Sequence, residues 1–204
     1  MSDLEYLRTA LMADRFDPSC PLRGGLDANP LTLIGLRRLM EMGVPRAFLG
    51  ELTGAGDLGA AQVDLTSGGS RFAFGGPTGR LLLAVRAGDG TLVDMAALSS
   101  ACEDEWALLS GGADLLGEWL LEDAIAAERR ELRLFPTPMA WLRGGGRGIC
   151  VLDWTPAALG ALRGLRSHQT LVVDPGAKVR LDAMLAYGGL PMVAEERAAI
   201  RRVA

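Results

Sequence analysis

The 204-residue chain has almost no lysine and almost no histidine, since Lys178 and His168 are the only residues of their kinds. A single histidine excludes a metal site built from several imidazoles. The cysteines Cys20, Cys102 and Cys150 are far apart and show no C-x-x-C spacing, so neither a zinc ribbon nor a disulfide framework is expected. Positive charge comes almost wholly from arginine, in a chain rich in alanine, glycine and leucine, so the arginine count alone is no evidence for phosphate binding.

Long apolar runs are also missing, because no stretch of about 18 consecutive apolar residues is present. The segment Met1–Glu5 is acidic and lacks the apolar core of a secretion signal. These absences predict a cytoplasmic protein that does not bind membranes. The net charge of −4 gives no support for nucleic acid as a partner, although it leaves that possibility open, and a protein partner is the expectation.

Residues 1–53 are predicted to form a helical region. Leucines at helical spacing indicate a helix over Asp3–Ala13. A loop rich in proline and glycine is expected over Asp17–Gly25. Two further helices are predicted over Leu31–Met42 and over Pro45–Leu52, where a proline opens the second of them.

Residues 54–130 are predicted to combine a glycine-rich segment, a β-hairpin and a helix. The segment 54–79 is weakly patterned. Apolar runs at Arg80–Arg86 and Thr91–Leu98 flank an Asp-Gly turn, which is typical of a β-hairpin. The other elements predicted in this region are strands at Arg71–Phe74 and Trp106–Leu109 and a helix at Leu115–Arg130.

Residues 131–204 alternate short apolar strands with helices. The strands predicted at Leu132–Phe135, Ile149–Leu152 and Thr170–Val173 are apolar at nearly every position, which is typical of a parallel sheet covered on both faces. The expected fold class is therefore α/β, with a parallel-sheet C-terminal domain preceded by a small helical and β-hairpin (α+β) region. The remaining predicted elements are helices at Pro138–Arg143, Pro156–Leu165 and Ala177–Tyr187, a strand at Leu190–Val193 and a terminal helix from Ala194.

Two aspartates, Asp153 and Asp174, directly follow strands of this predicted sheet. Ligands of open α/β sheets bind at the carboxyl ends of the strands, and carboxylates there suit a hard cation such as Mg²⁺. Alternatively, each aspartate caps the next helix or forms an Asx-turn. A metal site at Asp153 and Asp174 and a purely structural role therefore both stay open.

Other motifs give weaker indications of chemistry. The run Gly144–Gly148 follows a helix and precedes a strand, the reverse of a phosphate-binding glycine loop, so a connector is expected. Ser110 lacks the flanking glycines of a nucleophile elbow. Cys150 lies in an apolar run and is expected to be a buried small hydrophobe, and His168 is expected in a solvated loop.

The order of strands and helices over residues 132–187 resembles the Toprim domain of primases, topoisomerases and related nucleases. The segments Arg38–Pro45, Gly79–Val93 and Leu115–Gly117 are similar to what precedes this domain in primase-like proteins of phages and mobile elements. The resemblance implies a Toprim-like domain over residues 131–204 and a role in DNA replication or processing.

The chain departs from the Toprim pattern at both catalytic positions. A working Toprim domain carries a glutamate after its first strand, as general acid/base, and an Asp-x-Asp after a later strand, to hold Mg²⁺. The resemblance places Pro136-Thr137-Pro138 at the glutamate position and Asp174-Pro175-Gly176 at the Asp-x-Asp position. Since losing a general acid/base typically costs about 10²–10⁴-fold in rate, the resemblance implies a degenerate domain with no catalytic residue and no required cofactor.

Three hypotheses follow. The first is a non-catalytic, Toprim-like binding or accessory protein of phage or mobile-element DNA replication or processing. The second is a weak Mg²⁺-dependent phosphoryl-transfer enzyme that uses Asp153 and Asp174, with Glu131 or Asp182 as a further acid. The third is a partner-binding α/β protein of an unrelated family, anchored by exposed tryptophans from the set Trp106, Trp119, Trp141 and Trp154.

Overall fold

Two β-sheets with helices packed on them form the framework of the protein. The computed structural model describes residues 21–66, 68–121, 131–163 and 170–187. No helix in the described part of the chain is long and apolar enough to cross a membrane. The predicted features that lie outside the described residues are the helix at Asp3–Ala13, the second half of the helix at Leu115–Arg130, His168, the strand at Leu190–Val193 and the terminal helix from Ala194.

The elements follow one another closely along the chain. The helices are α1 (Pro21–Asp27), α2 (Leu33–Glu41), α3 (Arg46–Ala55), α4 (Pro138–Arg143), α5 (Pro156–Arg163) and α6 (Pro175–Tyr187). The strands are β1 (Leu58–Leu65), β2 (Phe72–Phe74), β3 (Thr78–Arg86), β4 (Leu92–Leu98), β5 (Trp106–Leu108), β6 (Leu115–Leu116), β7 (Glu131–Phe135), β8 (Ile149–Val151) and β9 (Thr170–Val173).

Strands β1 to β5 form an antiparallel sheet in the order β2-β1-β3-β4-β5. Its centre is the predicted hairpin of β3 and β4, in which Leu83 pairs with Ala96. The sheet curls into a half-barrel, because Arg71, next to the edge strand β2, also bridges to Leu108 of the opposite edge strand β5. The predicted hairpin and its two additional strands are thereby confirmed.

Strands β6 to β9 form a second, mixed sheet in the order β6-β8-β7-β9. Strand β7 pairs in parallel with β8 and β9, as the apolar runs predict. The edge strand β6 runs antiparallel to β8, so the expectation of a parallel sheet is correct only for β7, β8 and β9. The protein is therefore mixed α/β, with an antiparallel half-barrel preceding a partly parallel sheet.

The two sheets share one apolar core. Leu83 and Val85 of β3 enter it from the antiparallel sheet, and Phe135 and Cys150 enter it from the mixed sheet. Because side chains alternate along a strand, the intervening residues of β3, such as Leu82, lie in a second cluster inside the half-barrel, where α1 packs. The other face of the mixed sheet packs against α5 and α6. Both sheets are therefore covered on both faces.

A turn of three consecutive acidic residues, Glu103–Glu105, joins the two halves of the molecule. Glu103 pairs with Arg143 at the end of α4. Asp104 pairs with Arg180 of α6, and Glu105 pairs with Arg80 of β3. The guanidinium of Arg180 also lies 4.9 Å from the centre of the Trp106 ring. An isolated exposed ion pair contributes little to stability. The pair with Arg80 lies within the antiparallel sheet, whereas the pairs with Arg143 and Arg180 connect this sheet to α4 and α6.

The loop predicted over Asp17–Gly25 is wrong from Pro21 onward, where α1 begins. Glycines 24 and 25 lie within this short helix, which is held by packing of Leu26 against the half-barrel. A Cβ on Gly25 would lie 3.0 Å from Met95 Cε, so the missing side chain allows the helix to approach the sheet closely.

Two strands also differ from the predictions. The weakly patterned segment 54–79 contains β1, in which Ala61 and Val63 alternate with exposed residues as one face of a strand requires. Leu115 and Leu116 form β6 rather than the first turn of a helix. The next residue, Gly117, has a φ of +73°, which interrupts any continuous right-handed helix through this point.

Candidate functional site

Asp153 and Asp174 both lie at the edge of the mixed sheet where the carboxyl ends of its parallel strands meet. The register pairs Leu134 of β7 with Ile149 on one side and with Val173 on the other. Asp174 directly follows Val173, whereas Asp153 comes four residues after Ile149, so Asp153 lies further along the chain direction of the strands. Neighbouring strands are about 4.8 Å apart, and β7 separates β8 from β9. The two aspartates therefore stand on either side of β7, at least about 10 Å apart, which is the spacing of two strands.

The carboxylate of Asp174 is paired with Arg133 of the neighbouring strand β7. Arg133 donates from Nε and Nη2 to Oδ1 at 3.1 and 2.9 Å, and from Nη2 to Oδ2 at 3.1 Å. The guanidinium also lies 4.8 Å from the centre of the Phe135 ring, which restricts its position further. The charge of Asp174 is therefore offset by a side chain that is held in place on two sides.

The carboxylate of Asp153 faces Arg71, which comes from the antiparallel sheet; Nη2 and Oδ2 are 3.7 Å apart. Arg71 also donates from Nη1 to the carbonyl of Ser70 at 3.0 Å. Gly111 lies directly against the guanidinium, since a Cβ there would be 2.0 Å from Nη2. Any side chain at Gly111 would displace Arg71 from its place beside Asp153.

A buried carboxylate, Asp94 of β4, holds the loop that supports Arg71. Asp94 has no exposed surface. It accepts hydrogen bonds from the backbone N–H of Ser110 at 3.0 Å, of Gly111 at 2.7 Å and of Gly112 at 2.9 Å. The backbone N–H of Met95 donates to it as well, at 2.7 Å. The Ser-Gly-Gly run is therefore a loop wrapped around a carboxylate rather than a nucleophile elbow.

Between the two aspartates, the segment 136–138 turns from β7 into α4. Thr137 caps the helix, because its Oγ1 accepts the backbone N–H of Ala140 at 3.1 Å, and Pro138 occupies the first turn. Pro136 packs so closely that a Cβ on Gly176 would lie 3.0 Å from it. The place that the Toprim resemblance assigns to a glutamate is thus occupied by the start of a helix, and neither proline carries an ionisable group.

The further acids considered for a metal site lie elsewhere. Glu131 begins β7 and is therefore at the opposite edge of the sheet. Asp182 lies about two turns along α6 and pairs with Lys178 at 2.5 Å. Among the described residues, no group of three or more His, Cys, Asp or Glu side chains could hold a metal ion.

Two expectations about other motifs are confirmed. The glycine run Gly144–Gly148 connects the end of α4 to the start of β8. Cys150 is fully buried, and this burial raises the pKa of its thiol, which keeps the group protonated and unreactive. The other described cysteine, Cys102, is exposed.

The tryptophans are part of the interior rather than the surface. All four are buried or half-buried, and Trp106 and Trp141 each donate their indole N–H to a backbone carbonyl, at 3.0 and 2.8 Å. Among the described residues, the most exposed large apolar side chains are instead Leu33 and Ile34 at the start of α2, at 84% and 82% exposure.

Arg71 and Arg133 are the residues of this edge that sequence reasoning missed. For Arg133 a local signal exists, because it alternates with Leu132 and Leu134 and must emerge on the face opposite them. For Arg71 no local signal exists, because Asp153, the residue that it faces, follows a strand of the other sheet and is far away in the sequence.

Comparison with known proteins gives a likeness of fold only. No family model matches the chain, and no curated protein matches it. Among solved structures, the chain is similar to the Aquifex aeolicus primase (zinc-binding and RNA polymerase domains), with a TM-score of 0.55 and 10% identity over 91% of this chain and 52% of that chain. The chain therefore spans about half the length of that protein.

The RNA polymerase domain of Mycobacterium tuberculosis primase DnaG also matches. In complex with a double-stranded DNA oligomer with a 6-nucleotide overhang, it gives a TM-score of 0.47 and 14% identity, over 95% of this chain and 80% of that chain. Because this TM-score is below 0.5, the match adds nothing to the fold assignment. The similarity to the Aquifex primase is therefore one of overall fold.

Proposed function

We propose that this chain is a non-catalytic, Toprim-like accessory protein of DNA replication or processing, in the setting of a phage or mobile element, which acts by binding a protein partner. The observation that carries the proposal is the carboxyl edge of the mixed sheet. Pro136 ends the strand that a catalytic glutamate would follow, and Asp153 and Asp174 face arginines. The primase-like fold supports the replication setting.

The first group missing from this edge, among the described residues, is one that could transfer a proton. Phosphoryl transfer is assisted by a side chain that moves a proton to or from the reacting oxygen, and such a group must lie within hydrogen-bond reach of it. On the central strand that place is taken by Pro136 and by Thr137, whose hydroxyl is buried as a helix cap. Among the described residues, the edge therefore offers no general acid or base between its two carboxylates.

Metal binding is also disfavoured. Mg²⁺ requires near-octahedral oxygen ligands, and a phosphoryl-transfer site draws several of them from clustered carboxylates. Here Asp153 and Asp174 stand on either side of β7, and Glu131 and Asp182 lie away from them. The ion pairs alone are partly exposed and would be displaced at low energetic cost. In the part of the chain that the structure describes, no third carboxylate joins Asp153 and Asp174 to complete a metal site.

A second candidate is the Mg²⁺-dependent phosphoryl-transfer enzyme. The observation that favours it is that the two aspartates share the edge of the sheet where α/β enzymes bind ligands. An activity assay separates the two candidates.

The test is an activity assay with a matched variant. The full chain is incubated with single-stranded DNA, ribonucleotides and either Mg²⁺ or Mn²⁺. We expect no primer synthesis and no DNA cleavage beyond the rate shown by Asp174→Asn, because neither protein has a general acid/base at the edge. The control is Asp182→Asn, which removes a carboxylate about two turns along α6, away from the edge of the sheet.

The proposal is overturned by metal-dependent turnover that Asp174→Asn reduces about 100-fold or more while Asp182→Asn leaves it unchanged. That pattern would place the reaction at Asp174 and establish the second candidate.

A further inference from the structure

The helix α2 exposes large aliphatic side chains to solvent. Leu33 and Ile34 are 84% and 82% exposed, and Met40, about two turns further along the helix, is 41% exposed. We infer that this surface docks a helix of a protein partner, one that carries apolar side chains along one side and acidic side chains next to them. The inference rests on the proposed function, because it assigns the surface that binds the protein partner.

The exposed side chains belong to a helix that is fixed at both ends. Thr32 caps the first turn, because its Oγ1 accepts the backbone N–H of Gly35 at 3.2 Å. At the other end, the N–H of Gly43 donates to the carbonyl of Met40 at 3.0 Å. Between these ends, Leu39 is buried in the core that the two sheets share. The helix therefore presents its outward side chains from a defined position.

Leu33 and Ile34 lie on the side of α2 that faces away from the core. Successive residues of an α-helix are about 100° apart, so Ile34 and Arg37 stand roughly opposite the buried Leu39. The attachment of the helix to the core therefore does not depend on the exposed pair. Adjacent exposed aliphatic side chains on a rigid element are typical of a protein-binding surface, because their burial in a complex drives association.

The charged groups beside these side chains are mainly basic. Arg37 pairs with Glu41 at 3.2 Å, and the two charges offset each other. Arg38 and Arg46, which begins α3, are both exposed, and neither forms an ion pair with another described residue. This surface is therefore positive on a chain whose net charge is −4. Charge complementarity favours an acidic partner.

The same observations argue against two other occupants. A second copy that docked through the same face would bring Arg37 and Arg38 towards the same arginines, and like charges across an interface are unfavourable. Single-stranded nucleic acid binds largely by stacking its bases on aromatic side chains, whereas the exposed residues here are aliphatic. A partner helix fits, because side chains spaced three and four residues apart on one helix pack between those of another.

The test uses three synthetic peptides of about 18 residues, which is long enough for about five turns of helix. All three share one stripe of leucines at helical spacing, and they carry glutamate, glutamine or lysine next to that stripe. Binding to the full chain is measured by fluorescence anisotropy at low ionic strength. We expect the glutamate peptide to bind at least about tenfold more tightly than the lysine peptide, with the glutamine peptide between them.

Variants of the chain locate the binding. The double variant Leu33→Ser/Ile34→Ser should weaken binding of the glutamate peptide at least about tenfold. Arg38→Glu should weaken binding of the glutamate peptide and strengthen binding of the lysine peptide, which non-specific attraction to leucine does not predict. The control is Val179→Ser, which removes an exposed aliphatic side chain of α6 and should have no effect. Thermal melting shows whether each variant is folded.

Absence of binding by the glutamate peptide, or equal binding by the folded double variant, overturns the inference. A wild-type dimer in sedimentation experiments that the double variant abolishes would assign the surface to a second copy instead. Binding of single-stranded DNA that is lost in Arg38→Glu but kept in the double variant would assign it to nucleic acid. None of these outcomes changes the expected absence of turnover, whereas metal-dependent turnover would overturn the proposed function and leave peptide binding at α2 unaffected.

Discussion

Replacing Asp57 with alanine is expected to lower the free energy of unfolding by about 3–5 kcal/mol, because it leaves buried arginines without their counter-charge. Asp57 precedes β1 and is 2% exposed. It accepts from Nε and Nη2 of Arg86 at 3.0 and 2.8 Å and from Nη2 of Arg23 at 3.3 Å. The cluster ties α1 to the start of β1 and to the end of β3, so its loss should loosen the half-barrel.

The measurement is chemical unfolding of wild type, Asp57→Ala and Asp64→Ala. Asp64 is an exposed aspartate on the same strand and should change stability by less than about 0.5 kcal/mol. If Asp57→Ala is as stable as Asp64→Ala, Asp57 does not act as a buried counter-charge for these arginines.

Replacing Asp94 with alanine is expected to lower the free energy of unfolding by about 3 kcal/mol, because several backbone N–H groups lose a charged acceptor. The effect should extend to the candidate site, since the loop at Gly111 holds Arg71 beside Asp153. Amide exchange should therefore become faster at residues 110–112.

Two variants serve as controls for Asp94. Asp94→Asn keeps one acceptor oxygen and should lose about half as much stability. Ser110→Ala removes only the exposed hydroxyl that accepts the N–H of Gly112 at 3.1 Å, and it should be nearly neutral. Unchanged exchange at 110–112 in Asp94→Ala would show that the carboxylate does not hold this loop.

The elements predicted correctly are those with strong local patterns. The hairpin of β3 and β4 has continuous apolar strands around an Asp-Gly turn, and β7 to β9 alternate with helices that begin at prolines. The helix α1 was missed because adjacent Gly24 and Gly25 argue against a helix. Its stability comes from packing against the half-barrel, which no local pattern shows.

The candidate site was predictable only in part. Both aspartates were expected at the carboxyl edge of the sheet, because that expectation follows from strand order alone. The arginine that faces Asp153 was not predicted, since Arg71 reaches Asp153 from the other sheet. The loop that supports Arg71 depends in turn on the buried Asp94. Contacts between residues far apart in the chain follow from how the two sheets pack, which local patterns do not specify.

The acidic turn Glu103–Glu105 shows the same limitation. Three neighbouring acids are most simply read as a solvated surface, yet each pairs with an arginine from a different element. The shared core brings α4 close to the β4–β5 connection, and Arg180 of α6 lies over the ring of Trp106, which follows that connection.

The most direct test of the central claim is a calorimetric titration of Mg²⁺ and Mn²⁺ on wild type and on Asp174→Asn. We expect that neither protein binds either ion more tightly than about 1 mM, because Asp153 and Asp174 stand on opposite sides of β7 and no third carboxylate of the described residues joins them. Binding tighter than this in wild type, abolished by Asp174→Asn, would contradict the claim and establish a metal site at this edge.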